Sequence, residues 1–264
     1  MSYSESADIA HHQGEVDRML AAFKAAQLEL DTPELVLDVG GGAGMHSVLL
    51  TGLAQRVICT DIADQNARFG GELIKLVKEK FDRNGFSLDC RKIEFQACDA
   101  TRLPYRNDWF DLIVSFNAME HIPEPELAFA EMARVVKPGG YLYVTFDPIW
   151  TADSGSHFLS RVPEPWGHLL MSDDEFVAKM RRAGASDGEC ADYRSAMNRQ
   201  RLGRYQAMLA NLPEALELSW FSSWSGYVDP AHPEHENHAR CIELGYSLDE
   251  LSARGMALIA RRCA

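Results

Sequence analysis

Gly40, Gly41, Gly42 and Gly44 follow Asp38, and a second acid, Asp61, closes the same stretch of chain. Glycines remove side chains where a backbone must turn sharply, and they let a ligand approach the main chain. An ionised carboxylate only accepts hydrogen bonds, so Asp61 suits a pair of hydroxyls such as a ribose presents. Farther on stand Asp99-Ala100, Asn117 and Glu120-His121, then His157 and His168 among Trp150, Phe158 and Trp166. An imidazole there can take a proton from a hydroxyl, amine or carbon acid near neutral pH, with the aromatic rings walling an apolar or ring-shaped substrate.

The elements that must position these groups are legible around them. Val36-Leu37 and Val39 form a short apolar run suited to a buried parallel strand, Met45 to Ala54 has helical spacing, and Val57-Ile58-Cys59 supplies the next strand. The unit is β-α-β with a nucleotide-sized crevice. Before it, Val16, Leu20, Phe23 and Leu30 predict one amphipathic helix, preceded by Tyr3 and His11-His12. After Asp61, Leu73, Ile74, Val77 and Phe81 mark the apolar face of a single long helix whose Lys and Glu run faces solvent. KIEFQAC and FDLIVSF read as the third and fourth strands, followed by a helix, a Pro138-Gly139-Gly140 turn and a fifth strand.

The glycine spacing fails the dinucleotide fingerprint, because Met45 or Ser47 falls where its third small residue belongs. Asp38-x-Gly40-x-Gly42-x-Gly44 with Asp61 after the second strand resembles instead motif I of class I S-adenosylmethionine (SAM) methyltransferases. Asp99-Ala100, Phe110-Asp111, His121-Ile122-Pro123 and Lys137-Pro138-Gly139-Gly140 are similar to that family's later motifs, in the same order, over about residues 35–147.

The resemblance implies an α/β fold: a doubly wound, Rossmann-like, seven-stranded and mostly parallel sheet with a helical and loop substrate cap. It places Gly40, Gly42 and Gly44 against the methionine part and ribose of SAM, with Asp38 supporting the loop. Asp61, with Ile62 beside it, would meet the ribose hydroxyls. Asp99 and the Ala100 amide would meet adenine, and Asn117 the methionine side. The leading segment folds over the cofactor in many such enzymes.

Residues 1–264 are expected to form one domain with cap insertions at about 147–172 and 195–245. Ser172 and Glu175 have the spacing of a capping box. His157, and His121 behind it, are the candidate proton acceptors, whereas Trp166-Gly167-His168 reads as a packing corner. Ala185 onward predicts a sixth strand and then a mostly helical insertion, in which Arg199, Arg201 and Arg204 suit either a solvated face or an anionic substrate group. GMALIARRC fits the antiparallel seventh strand. His232, His235, His238 and Cys241 recur every three residues, which rotates them off a common helical face, so no metal site is expected.

A net charge of −13 opposes attraction to phosphate backbones. Six cysteines without a CxxC pair read as reduced core thiols, and no apolar run approaches a membrane span. With no basic-then-apolar leader either, a cytoplasmic enzyme is expected. The expected reaction transfers a methyl group from SAM to a small-molecule acceptor, favouring a sugar or polysaccharide precursor or a natural-product intermediate, with the methylated atom open. A protein, lipid or quinone acceptor, or a non-catalytic SAM-binding module, is the alternative.

Overall fold

A computed structural model describes residues 4–226 and 236–263. One sheet of seven strands runs through it: β1 (Leu35–Val39), β2 (Arg56–Asp61), β3 (Ile93–Ala97), β4 (Phe110–Ser115), β5 (Val136–Phe146), β6 (Leu216–Ser225) and β7 (Ala253–Arg262). Their order is β3-β2-β1-β4-β5-β7-β6. The first five are parallel, and β7 inserts antiparallel between β5 and β6. The helices are α1 (Glu5–Ala25), α2 (Met45–Leu50), α3 (Gln65–Arg68), α4 (Leu73–Arg83), α5 (Pro125–Val135), α6 (Gly167–Leu170), α7 (Asp173–Arg182), α8 (Asp187–Ser195), α9 (Leu202–Ala210), α10 (Glu236–Glu243) and α11 (Leu248–Ser252).

Strand alternation divides the core into two layers. Leu37, Val39, Ile113, Leu142, Val144 and Leu258 face α5 and α9 and pack on Phe129, Met132 and Tyr205. Val36, Leu112, Val114, Tyr143 and Ile259 face the other way, toward Met19 and Phe23 of α1, Val48 of α2 and Phe81 of α4. A sheet buried on both faces needs near-continuous apolar strands, which these sequences supply. Burying each such side chain contributes about 1.5–3 kcal/mol. Chain order reverses between β1 and β4, so their carboxyl ends open the crevice in which α/β sheets bind ligands.

Several elements depart from the sequence reading. Helix α1 begins at Ser4, whose side chain caps it, so His11 and His12 lie within the helix rather than ahead of it. Leu30 falls beyond its end, and Tyr3 lies outside the described residues. The single helix expected after Asp61 is two, because Gly70 and Gly71 adopt positive φ between α3 and α4. Pro138-Gly139-Gly140 is an irregularity inside β5, where the register against β4 shifts.

The largest correction concerns the chain after Ala185. Ser186 and Glu189 form a reciprocal capping box that starts α8 where a strand was expected. The sixth strand lies instead at Leu216–Ser225, inside the stretch read as a helical cap. Trp220, Ser222 and Trp224 then share one face of it, a period of two that helical spacing does not explain. The cap builds small cores of its own. Phe176, Val177, Met180 and Tyr193 surround Trp150 and Val162, while Trp166, Cys241 and Leu251 form another. All six cysteines are free thiols, and Cys59, Cys90, Cys190 and Cys241 are buried. Among the described residues, no helix is long and apolar enough to cross a membrane.

Because the Ser186 hydroxyl and the Glu189 carboxylate satisfy the first turn of α8, Ser186→Ala should lower unfolding free energy by about 1 kcal/mol. Urea denaturation followed by far-UV circular dichroism measures it; an unchanged midpoint would show that the cap contributes nothing to α8.

Candidate active site

Asp38 is fully buried at the end of β1, where its Oδ2 accepts the Ser47 hydroxyl at 2.6 Å. Burial pushes its carboxyl up, against the opposing influence of His46 and Ser47. Gly41 passes directly over that carboxylate, and a Cβ there would meet both Asp38 and Cys59. Gly40 has φ +74°, and a Cβ on it would strike the Ala118 methyl, so only glycine fits. The Gly42 amide donates to Asp61 Oδ2 at 3.2 Å, while the Ala63 amide donates to Oδ1 at 2.9 Å. Asp61 therefore braces the glycine loop as well as facing the crevice. Gly44, beside Phe95, precedes α2 directly.

Gly40, Asp61, Ile62, Asp99, Ala100, Asn117 and His121 come together around a cavity of about 540 Å³. Asp99 Oδ1 accepts the amide and hydroxyl of Thr101, both at 2.8 Å, which fixes the loop after β3. Across Gly40 lies a second hollow, bordered by Gly42, Met45, His46 and Phe116. An acid after β2, another after β3, a free-standing amide at Ala100 and a side-chain-free loop between two hollows make a donor and acceptor set that fits SAM.

A separate cavity of about 630 Å³ opens on the other side of Asn117. Trp220, Trp224, Tyr143 and Ala257 form its sheet wall, α1 covers it with Ala21, Ala22 and Ala25, and Arg18 lies at its edge. Asp147 and Arg254 add one polar corner: Arg254 Nε donates to Asp147 Oδ1 at 2.8 Å and Trp224 Nε1 to Oδ2 at 3.3 Å. Asn117 has φ +49° and is pinned by reciprocal hydrogen bonds with Thr145.

Comparison with known proteins bears on this geometry. A family described as a methyltransferase domain matches residues 37–144, which span the glycine loop, both crevice acids and Asn117. This stretch of the chain is similar to known methyltransferase domains. Methyltransferase GfsG of Streptomyces halstedii is 29% identical over 133 residues, 48% of this chain and 45% of that protein. A ubiquinone/menaquinone biosynthesis C-methyltransferase of Cupriavidus metallidurans is 28% identical over 141 residues, 52% and 53% of the two chains. The chain thus spans about half the length of these curated relatives. Haemonchus contortus phosphoethanolamine N-methyltransferase 2, solved with phosphomonomethylethanolamine and S-adenosylhomocysteine, shares the fold at a TM-score of 0.53 and 16% identity. That likeness covers 94% of this chain and 53% of the other. The sheet is accordingly the class I, Rossmann-like one.

The crevice is bordered by a contact the sequence did not reveal. Glu15 of α1 is buried; its Oε1 accepts Asn117 Nδ2 at 2.6 Å and its Oε2 lies 2.7 Å from His46 Nε2. His46 in turn stacks on Phe116 with ring centroids 4.1 Å apart. The available signal was an acid beside Val16 and one turn before Met19, on the apolar stripe of a helix. Trp220 and Trp224 were hidden for the opposite reason, having been assigned helical rather than strand spacing.

The aromatic set of the 147–172 segment lies elsewhere than expected. Trp150 and Trp166 are buried in the cap cores, and Trp220 and Trp224 take the cavity wall instead. His168 Nε2 donates to the Trp150 carbonyl at 2.7 Å, and burial pushes its imidazole down to about 4, as befits a packing corner. His157 lines neither cavity and sits edge-on to His121, 5.2 Å away. Arg199, Arg201 and Arg204 are neither merely solvated nor turned to a ligand. They pair with Asp173, Glu250 and Glu126, each through two hydrogen bonds. His238 packs against Trp166, whereas His232 and His235 lie outside the described residues.

Burial alone would raise the Glu15 carboxyl, but hydrogen bonds and charge from His46, His11 and Asn117 outweigh it and hold it below its ordinary 4.5. Its contribution to stability is therefore complete above that ordinary value and is lost as pH falls through the lowered one. Glu15→Gln should flatten the acid limb of a Tm-against-pH curve and cost roughly 1.5–3 kcal/mol at neutral pH. Equal acid sensitivity in both proteins would mean that Glu15 does not tie α1 down.

Proposed function

We propose that the protein transfers a methyl group from SAM to a small, apolar, ring-bearing acceptor. The observation that carries this reading is Asn117, the wall common to the SAM-sized cavity and the Trp-lined one. Two ligands meeting at one residue are what an in-line transfer between them requires.

When bound, SAM supplies an electrophilic methyl on a sulfonium, leaving S-adenosylhomocysteine after transfer. Asp61 would hold its ribose hydroxyls, Asp99 and the Ala100 amide its adenine, and Gly40, Gly42 and Gly44 its methionine side, with Asp38 beneath the loop. Asn117, fixed by Thr145 and Glu15, orients the reacting side. Helix α1 excludes water from above, which leaves alignment to supply much of the rate.

The acceptor chemistry follows from the walls. Indole and phenol faces with alanines opposite favour a flat apolar ring, and Arg18 with the Asp147–Arg254 corner gives its polar substituents an orientation. A natural-product intermediate or a quinone fits these walls better than a sugar precursor does. The quinone-pathway relative supports including the latter class. His121, or His157 through it, would take a proton only from an acceptor atom reaching the His121 side of Asn117.

Calorimetric titration with SAM tests the donor site. Asp61→Ala should weaken binding by roughly 1.5–3 kcal/mol, the worth of hydrogen bonds to a charged group; undiminished affinity in a folded variant would take Asp61 out of the pocket. Trp224→Ala should raise the KM for an aromatic acceptor about tenfold or more while SAM affinity stays unchanged. Equal KM values would move the acceptor elsewhere.

A further inference from the structure

Beyond the two cavities, the turn after β4 and the first loop of the cap bring Glu120, His121 and His157 together. One ligand-capable atom from each lies within 4.8 Å of the other two. Glu120 is fully buried. Its Oε1 accepts the Asp147 amide at 3.2 Å, but its Oε2 has no hydrogen-bond partner. A buried carboxylate oxygen left bare is costly unless a cation or a proton meets it.

The imidazoles are set in a complementary way. His121 Nδ1 lies 2.8 Å from the Ala196 carbonyl oxygen, which can only accept, so that nitrogen donates and the contact orients the ring. The Pro148 carbonyl engages the His157 ring in the same sense. The turn bearing Glu120 and His121 is itself clamped, since Asn198 Nδ2 donates to the Met119 and Ile122 carbonyls at 2.9 and 2.8 Å.

Two imidazoles, each with a carbonyl behind it, and one unpartnered carboxylate oxygen are the donor set of three-ligand divalent metal sites. We propose that Glu120, His121 and His157 bind one divalent ion of the zinc class. Imidazole nitrogen with a single carboxylate favours Zn²⁺, Co²⁺ or Fe²⁺ over Mg²⁺ or Ca²⁺. In this role the imidazoles hold an ion rather than collect a proton. Because His121 also lines the SAM-sized cavity, the ion fastens the cap loop to the rim of the crevice and keeps a coordination position for an oxygen donor. Separation along the chain hid the site, as His157 is far in sequence from the Glu120-His121 pair. A second cluster, His12, Glu15 and His46, has comparable spacing, but both Glu15 oxygens and His12 Nδ1 are already engaged.

The test uses the full chain, tag-free and stripped with EDTA, titrated with Co²⁺ by visible absorption and with Zn²⁺ by calorimetry. One equivalent should bind, with d–d bands and a raised Tm. Glu120→Gln and His157→Ala should each weaken binding beyond the roughly 10–100-fold typical of losing a partner that only orients a ligand. His157 is exposed, so its variant reports even if Glu120→Gln unfolds. Absence of stoichiometric binding in the parent protein would overturn the proposal. So would binding that survives His157→Ala but disappears in His12→Ala, which would put the ion on α1.

Discussion

The buried Glu15 carboxylate joins three parts of the chain that sequence keeps apart: α1, the start of α2 and the end of β4. Apolar contacts set the burial of α1 but not its angle; Asp8 with Lys80 and Glu5 with Arg83 and Asn84 tie its first turns to α4, and Glu15 ties it to the crevice. With Glu15, the helix has one register over the crevice. The ring stack of His46 on Phe116 carries that restraint to the glycine loop, and the Asn117 amide carries it to the wall shared by both cavities. The wall shared by both cavities is therefore held by one desolvated, fully hydrogen-bonded acid, an arrangement that stabilises only when every member finds its partner.

The opposite rim is organised by a different balance. Glu120 is as buried as the carboxylate of Asp38, and burial pushes both upward. Asp38 has a hydroxyl from Ser47 on one oxygen, whereas Glu120 meets backbone amides, its own and that of Asp147, and lies near two imidazoles. The cap loop leaves the sheet at that point, where the Asp147 amide donates to Glu120.

Much of the donor half was legible because its determinants are local. Val36 to Val39, the glycines and Asp61 lie in one β-α-β unit, and period-two alternation with glycine punctuation is written in adjacent residues. Asp99-Ala100 and Asn117 could be placed because they too follow apolar strands. The acceptor half was not, since Trp220 and Trp224 gain meaning only when β7 pairs with β6. Trp150 and Trp166 carried the same residue type and went to the cap cores, a choice made by packing partners that no spacing records. The Ser186–Glu189 box was readable as a helix start, as the Ser172–Glu175 box was, because both have the same local spacing.

Strand β7 comes last in the chain yet lies between β5 and β6. During synthesis, which proceeds from the N-terminus, β1 to β5 can pair as a parallel sheet while Leu216–Ser225 is still without its neighbour. The crevice at the ends of β1 and β4 thus has its strands early, whereas the Trp-lined wall exists only after the ten residues of β7 dock. A nascent chain would form the crevice before the Trp-lined wall, and β6, at the end of the strand order, pairs with β7 alone among the described strands.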